Sequence, residues 1–399
     1  MSVPRKTILY IHHGSGMGGA PQLLLKLLKK LDRNLYEPVV WCIRRSSASR
    51  LFEENGFKVI IDEQVIPFLH ISDGFYGIRH PHLVLKMLFG QVRSYRTARR
   101  VISEIKPDII HLNTSVLPGV LYAASRYPCP VVVNVLECLH HGYTGFRRWL
   151  IHTCSRKWGD LFVFMLPSEA ERWGLLNTPG TVIAFDFIET DLFRNEPVTS
   201  ELRDECGISQ DIPLIGYFGR FTPAKGTDLL LRALAVLKTG NIPFHAVLIG
   251  PKETEIQRRG FMRRQSLADI IAKEHLENEV TFTGEHVQVE KLVPQCDILA
   301  VPFIEPHFSR LCGEAAASGR PAVAFAIDGP GEEIVDRRTG LLAEPGNIDD
   351  LADKLAYLCS NPAERERMGT AAMKRAETLF NGNRNAEKVF SLYRQCINK

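Results

Sequence analysis

No run in this 399-residue sequence comes near the roughly 18 consecutive apolar residues of a membrane-spanning helix, so none is expected. No C-x-x-C pair occurs among the nine cysteines, at 42, 129, 138, 154, 206, 296, 312, 359 and 396. Zinc sites and thioredoxin-type chemistry are therefore without support, and the scattered, odd set suits free thiols in a reducing compartment. The phosphate loop G-x-x-x-x-G-K-[ST] is missing. A clear D-x-D is missing too, and no metal or other cofactor is expected. Short repeats and low-complexity tracts are absent. Aromatic and basic residues are not interleaved on a strand surface, which argues against nucleic acid as a partner. The apolar part of MSVPRKTILYIHHG is too short for a secretory signal. The expected location is the cytoplasm, with peripheral contact at the inner face of the membrane as an extension.

What is there fits a globular chain: 45% apolar and 24% charged residues. The length suggests two or three domains. The net charge of +4 is uneven. Residues 1–200 carry 24 Lys+Arg against 17 Asp+Glu, a balance of +7, and residues 201–399 carry 25 against 28, a balance of −3. Arg44, Arg45, Arg93, Arg96, Arg99, Arg100, Arg147 and Arg148 stand out in the basic half. Such a surface suits acidic lipid or a phosphorylated substrate, or is simply the solvated face of helices. The stretch 80–100 mixes Leu, Met and Phe with basic residues, as a helix lying on lipid does and as a buried helix with a basic outer face also does.

Short Val-, Ile- and Phe-rich runs alternate with longer helical patterns, and the alternation occurs twice. TILYIHH, EPVVWCI, FKVII, DIIHLN, PVVVNVL and LFVFMLP form one set, and LIGYFG, FHAVLIG, VTFTG, ILAVPF and PAVAFA the other. Helical patterns cover 20–32, 94–105, 227–239, 288–295 and 348–360. Apolar strands joined through helices predict an α/β protein with two parallel, doubly wound sheets. The expected division is 1–190, 191–375 and a C-terminal helical segment, 376–399, packing back on the first domain. The polar stretch 193–213 reads as a linker.

Residues Gly14, Gly16 and Gly19 spell G-x-G-x-x-G between a strand and a helix. A dinucleotide site also needs an acidic residue at the end of the second strand for the ribose. Here that strand runs into Arg44 and Arg45, so a nicotinamide dinucleotide has weak support, with a 2′-phosphate form still open. The second half carries a sharper signal. GYFGRFTPAKG sets Gly219, Arg220 and Lys225 after a strand and before a helix. A loop feeding a helix N-terminus offers unpaired backbone N–H groups, and Arg and Lys add charge for a diphosphate. Further on, PFIEPHFSRLCGEAAASGRPAVAF places Glu305 and Glu314 around a loop and a helix start, where a carboxylate can accept ribose hydroxyls. DGPGEEIVDRRTGLLAEPGN adds another glycine-rich turn with Glu332 and Glu333.

In this order and spacing, GRFTPAKG, EPHFSRLCGEAAASGRPAVAF and DGPGEEIVDRRTGLL resemble the hallmark segments of family 4 glycosyltransferases. GMGGAPQLLLKLLKKL, the strand–helix–strand DIIHLNTSVLPGVLYAASRYPCPVVVNVLECL and IAFDFIETDLF extend the resemblance over the first half, with Asp186 where the family usually has Asn. The resemblance implies a GT-B architecture, two Rossmann-like parallel-sheet domains facing a cleft. It implies transfer of a hexosyl or related group from a nucleoside diphosphate sugar to an acceptor hydroxyl, with retention of anomeric configuration. The setting it implies is cell-surface polysaccharide or glycolipid synthesis, with a glycan or lipid-linked acceptor.

Arg220 and Lys225 would hold the donor diphosphate, and Glu314 the ribose. Gly219, Phe308, Ser309, Arg310 and Leu311 would line the loop around the transferred sugar and phosphate, partly through backbone N–H groups. Gly18 and Gly19 would let the N-terminal turn approach the donor, so that the turn faces a nucleotide sugar and does not hold NAD. His12, His13, His111 and Glu137 are candidates for the acceptor or the cleft wall. One departure stands out. The family spacing puts its first loop Glu at Pro306, so Glu305 is one residue early. In the mechanism implied, the leaving diphosphate helps to deprotonate the acceptor, and the protein supplies charge and positioning. The rival readings are a non-catalytic sugar-nucleotide-binding assembly subunit, an epimerase or phosphorylase on the same fold, and a dehydrogenase.

Overall fold

A computed structural model describes residues 4–14, 16, 18–68, 81–139, 144–195, 199–251, 266–284, 286, 288–306 and 308–397. The chain forms two compact units. Unit 1 is Met1–Phe187 with Gly382–Lys399, and unit 2 is Ile188–Asn381.

Unit 1 is built on seven parallel strands: β1 (Lys6–His12), β2 (Tyr36–Cys42), β3 (Lys58–Ile61), β4 (Ile109–Leu112), β5 (Val131–Val135), β6 (Leu161–Phe164) and β7 (Thr181–Ile183). Their order is β3-β2-β1-β4-β5-β6-β7. Unit 2 has six: β8 (Leu214–Phe218), β9 (His245–Ile249), β10 (Val280–Gly284), β11 (Ile298–Val301), β12 (Ala322–Phe325) and β13 (Gly340–Ala343), in the order β10-β9-β8-β11-β12-β13. In both sheets the chain starts in the middle, winds one way, then crosses back. The reversal falls between β1 and β4 in unit 1, and between β8 and β11 in unit 2. Open parallel sheets hold their ligands at such points, beyond the carboxyl ends of the strands.

The strands read as apolar throughout because both faces are covered. In β1, Ile8 and Tyr10 pack against helices Gly19–Lys29 and Gly382–Ile397, while Leu9 and Ile11 join Val101, Val116 and Val120 on the other face. Alternate residues thus enter two separate cores. The strand starts are fixed by a recurring device. Asp108, just before β4, accepts the Thr7 N–H of β1 at 2.8 Å. Asp297, just before β11, accepts the Leu214 N–H of β8 at 2.8 Å. The same bond therefore joins the two reversal strands in each unit.

Two short strands, β7 and β13, were not expected. β7 is a half-buried edge strand of three residues, and β13 opens on Gly340 inside the glycine-rich stretch. The helix expected from 94 spans Pro81–Ile105. The stretch 193–213 is not a plain linker. It contains the helix Glu201–Cys206, whose Leu202 and Arg203 are buried, and Arg203 donates to Asp297 at 2.6 Å. The expected C-terminal segment is two helices: Pro362–Leu379 belongs to unit 2 and Gly382–Ile397 to unit 1. All nine cysteines are free thiols. No helix among the described residues is long and apolar enough to cross a membrane.

Candidate functional site

In unit 2 the GRFTPAKG loop leaves β8 at its carboxyl end and is held tightly. Gly219, at φ +153°, donates its N–H to Ile249 O at 2.9 Å, and a side chain on Gly250 would lie 2.0 Å from Gly219 O. The buried Tyr217 hydroxyl donates to Arg220 O at 2.9 Å and accepts from Thr227 Oγ1 at 3.2 Å, tying the loop's start to the helix Thr227–Thr239. The loop also docks on the chain leaving β11, where Ile304 N donates to Ala224 O at 3.1 Å. The Lys225 ammonium lies 3.9 Å from the centroid of the Phe303 ring, a cation–π contact that orients a half-buried charge. Arg220 is exposed. The Arg220–Lys225 loop and the segment ending at Glu305 therefore meet at the reversal between β8 and β11.

The next helix, Arg310–Ala317, begins at Ser309, whose Oγ accepts from Cys312 N at 3.4 Å. The Ser309 N–H donates to Glu333 Oε1 at 2.9 Å, so a buried carboxylate secures the helix start. Arg310 Nε lies 3.5 Å from Glu314 Oε1 one turn on, and Glu314 is buried. Phe308 packs edge-on to Phe380. Leu311 is a core side chain, which leaves its backbone as the part that can meet a ligand.

A cavity of about 380 Å³, lined by Asp297, Arg320, Pro321 and Arg365 among others, lies where β11 and β12 begin. It is at the wrong edge of the sheet for the rule above, and none of the candidate residues lines it.

Unit 1 gathers a second polar cluster at the carboxyl ends of β1, β4 and β5. Glu137 is buried, and its carboxylate accepts from the Thr114 hydroxyl, from Ser115 N at 3.1 Å and from Ser115 Oγ at 3.1 Å. His13 Nε2 faces it at 3.9 Å. Burial lowers the His13 pKa, Glu137 opposes this, and Arg44 adds to it. Beside this pair a chain of side chains crosses three strands. His12 Nδ1 lies 3.2 Å from Asn113 Nδ2, and Asn113 Oδ1 accepts from Asn134 Nδ2 at 3.0 Å. Because the amide donates to Nδ1, the neutral His12 carries its proton on Nε2. Burial, with His13 adding, pushes its pKa down to about 3. Gly18 and Gly19, at the start of helix Gly19–Lys29, have negative or unremarkable φ and open space where a side chain would be. Among the described residues nothing in unit 1 requires glycine there, and no side chain caps the helix start.

His111 stands apart from this cluster. It lies inside β4 with Nδ1 2.6 Å from the Tyr393 hydroxyl and its ring 5.2 Å from Tyr10, and it is fully buried. It belongs to the core against the C-terminal helix, not to the strand ends where His12, His13 and Glu137 gather. Asn113, Thr114, Ser115 and Asn134 were not singled out from the sequence, and Glu333 was named there only as part of a glycine-rich turn. Each follows or ends a short apolar run or a glycine-rich turn, and that position at a strand or helix end is the signal that could have found them.

The fold defines a protein of two Rossmann-like parallel-sheet units. The family model for glycosyl transferases group 1 matches residues 198–375, and that for glycosyltransferase family 4 matches residues 17–176. Together they span most of the chain, which belongs to the family 4 glycosyltransferases. A D-inositol 3-phosphate glycosyltransferase of Nocardioides sp. is 29% identical over 217 residues, 52% of this chain and 47% of the relative. An uncharacterized glycosyltransferase of Methanocaldococcus jannaschii is 29% identical over 153 residues, 38% and 40% of the two chains. This chain thus spans about half the length of the curated relatives it matches. Among solved structures, Anabaena HepE in complex with UDP superposes with a TM-score of 0.78 at 20% identity, over 98% of this chain and 100% of that one. The sucrose-phosphate synthase of Thermosynechococcus elongatus gives 0.76 at 17% identity, over 99% and 100%. These likenesses establish the GT-B fold.

Proposed function

We propose that this chain transfers a glycosyl group from a nucleoside diphosphate sugar to an acceptor hydroxyl. The observation that carries the reading is the docking of the Arg220–Lys225 loop on the segment after β11, at the reversal of the unit 2 sheet. Arg220, Lys225 and the start of helix Thr227–Thr239 take the diphosphate, whose negative charge grows as the sugar leaves. Glu314 takes the ribose. The backbone around Ser309–Leu311, held by Glu333, takes the sugar and its phosphate, and Glu305 closes the loop beside it. In unit 1, Gly18 and Gly19 leave the start of helix Gly19–Lys29 open to a ligand, and His13 with Glu137 serves the acceptor hydroxyl. The transfer proceeds with retention and without a metal, the leaving diphosphate sharing in deprotonation of the acceptor. HepE, solved in complex with UDP-glucose, makes a uridine donor the first to try. The acceptor is a glycan or a lipid-linked glycan of the cell surface, reached from the inner face of the membrane.

Calorimetric titration with UDP, GDP and ADP tests the donor site. One nucleotide binds, and Lys225→Ala and Glu314→Ala each weaken it by about tenfold to a hundredfold, as for charged hydrogen bonds. No binding by any of the three, or binding indifferent to both changes, overturns the assignment. Glu305, one residue early, favours a second reading as a binding subunit without transfer. Nucleotide release from the bound sugar donor, tested with acceptor extracts, separates the two.

A further inference from the structure

The cavity of about 380 Å³ at the start of β11 and β12 lies apart from every residue assigned to the donor. Its volume falls among those of small-molecule sites and equals roughly a dozen waters. One wall is the turn 318–321, between helix Arg310–Ala317 and β12, and the other is the first turns of helix Pro362–Leu379. The walls pack backbone on backbone, since a side chain on Gly369 would lie 2.0 Å from Gly319 O. Further along, the second wall is fixed by Arg375, whose Nε donates to Glu333 O at 2.8 Å and whose Nη2 donates to Glu332 O at 2.7 Å.

Each wall presents an arginine to the cavity. Arg320 Nη2 donates to Pro294 O at 2.6 Å. Arg365 Nη1 donates to Leu358 O at 2.6 Å and to Cys359 O at 3.0 Å, carbonyls at the end of helix Ile348–Ser360. Among the described residues neither arginine is in an ion pair. Their neighbours differ: Arg367 has Glu364 at 2.8 Å, and Arg203 has Asp297 at 2.6 Å. Carbonyls orient a guanidinium without cancelling its charge, so two positive charges line one cavity. Asp297 also lines it, but its Oδ2 already accepts from Arg203 and from the Leu214 N–H. Arg320 Nε is buried with no hydrogen-bond partner, which is costly for a donor. The rest of the lining is of two kinds. Pro321 and Met373 are apolar, while Thr370 and Glu366 are exposed polar residues at the mouth.

We infer that this cavity is a second ligand site, for a small phosphate monoester of a polyol, with Arg320 and Arg365 on the phosphate. Two guanidinium forks from opposite walls match a dianion with three free oxygens. The Glu366 carboxylate accepts hydroxyls and repels a further phosphate, so a monoester that carries hydroxyls fits better than a diphosphate. Pro321 and Met373 cover its carbon chain. Both arginines are oriented by carbonyls before the ligand arrives, so little side-chain ordering is left for binding to supply. The site uses none of Arg220, Lys225 and Glu314, and it stands whether or not the donor reading does.

The test is calorimetric titration of the full chain with glycerol phosphate, inorganic phosphate and glycerol. Glycerol phosphate binds, inorganic phosphate binds about tenfold more weakly, and glycerol gives no heat. Arg320→Gln and Arg365→Gln each lower the affinity by about tenfold or more, as for charged hydrogen bonds. Thr370→Trp, at an exposed position, closes the mouth with both arginines intact and abolishes binding. Thermal melting checks that each variant is folded. Lys225→Ala leaves the titration unchanged. Binding that is lost with Lys225 and kept in both arginine variants belongs to the donor loop and overturns the inference. Absence of binding by glycerol phosphate, or equal affinity for inorganic phosphate, overturns it as well. Failure of the nucleotides to bind bears on the donor site alone.

Discussion

A methyl group placed on Gly226 would lie 1.8 Å from the carbonyl oxygen of Pro302. The two residues come from loops after β8 and after β11, and Gly226 sits at φ +62° immediately before helix Thr227–Thr239. Left-handed backbone costs a non-glycine residue about 1–2 kcal/mol, and overpacking against a rigid backbone adds about 1–3 kcal/mol. Gly226→Ala is therefore expected to destabilise unit 2 by roughly 3 kcal/mol, which for a unit of this size lowers its melting temperature by about 6–12 °C. Calorimetric scanning checks this. An unchanged transition would mean that the two loops separate without cost, and the donor-site geometry proposed above would lose its frame.

The contact between Glu333 and the Ser309 N–H leads to a second expectation. Glu333 is buried, and its Oε1 accepts from the first donor of a helix that otherwise caps itself through Ser309 Oγ. Glu333→Ala removes the acceptor of that buried N–H, at a cost of about 1–3 kcal/mol, whereas Glu333→Gln keeps an acceptor of the same reach. The Ala variant should also weaken the sugar nucleotide more than the free nucleotide, because the displaced backbone is the part proposed to hold the transferred sugar. Titrations with both ligands separate this from a general loss of stability, and restoration by Gln is the control.

These two contacts mark how far the sequence can be read. Eleven of the strands are short Val-, Ile- or Phe-rich runs, and burial on both faces makes such runs conspicuous. β13 escaped because GLLA begins with glycine and holds no β-branched or aromatic residue. Lys225 and Glu314 are legible because a helix start after a strand is a local pattern. Glu333 was named with its glycine-rich turn, but its bond was not legible, since its partner Ser309 lies 24 residues away and the bond depends on how two loops pack. Asn113 and Asn134 are alike in this: each is an ordinary polar residue until β1, β4 and β5 stand side by side. His111 shows the converse. A histidine on a strand looked fit for a ligand, but its strand position turns it towards Tyr393, 282 residues along the chain.

Glu137 offers a third expectation. Its carboxylate answers the Thr114 hydroxyl and both Ser115 donors while facing His13. Glu137→Gln preserves size and an acceptor but removes the charge that favours protonated His13, so the His13 pKa falls further. If neutral His13 serves the acceptor, the acid limb of the rate profile moves to lower pH, and the rate at neutral pH falls by about tenfold or more. Donor binding, which is assigned to unit 2, stays as it was. A pH–rate profile of both proteins with one donor decides. An unmoved acid limb would remove His13 from the acceptor's chemistry.

Acid stability gives the last expectation, and its sign follows from two buried histidines. Burial pushes His12 and His111 each to about 3 in the folded chain. In the unfolded chain both return to about 6.5. Below that value the unfolded state binds protons that the folded state refuses, so stability is complete above pH 6.5 and is lost as the pH falls towards 3. At about 1.36 kcal/mol per pH unit for each group, the loss between pH 7 and pH 5 is about 2 kcal/mol each, or about 4 kcal/mol together. His13 and His152, also lowered by burial, add in the same direction. The four tryptophans, Trp41, Trp149, Trp158 and Trp173, all lie in unit 1, so their fluorescence reports that unit's unfolding alone. Guanidinium titrations at the two pH values should show the loss. His111→Gln, which still offers Tyr393 a partner but cannot protonate, should remove about 2 kcal/mol of it. A pH dependence unchanged by that substitution would mean that His111 titrates freely in the folded chain, and that its place in the core against the C-terminal helix is wrong.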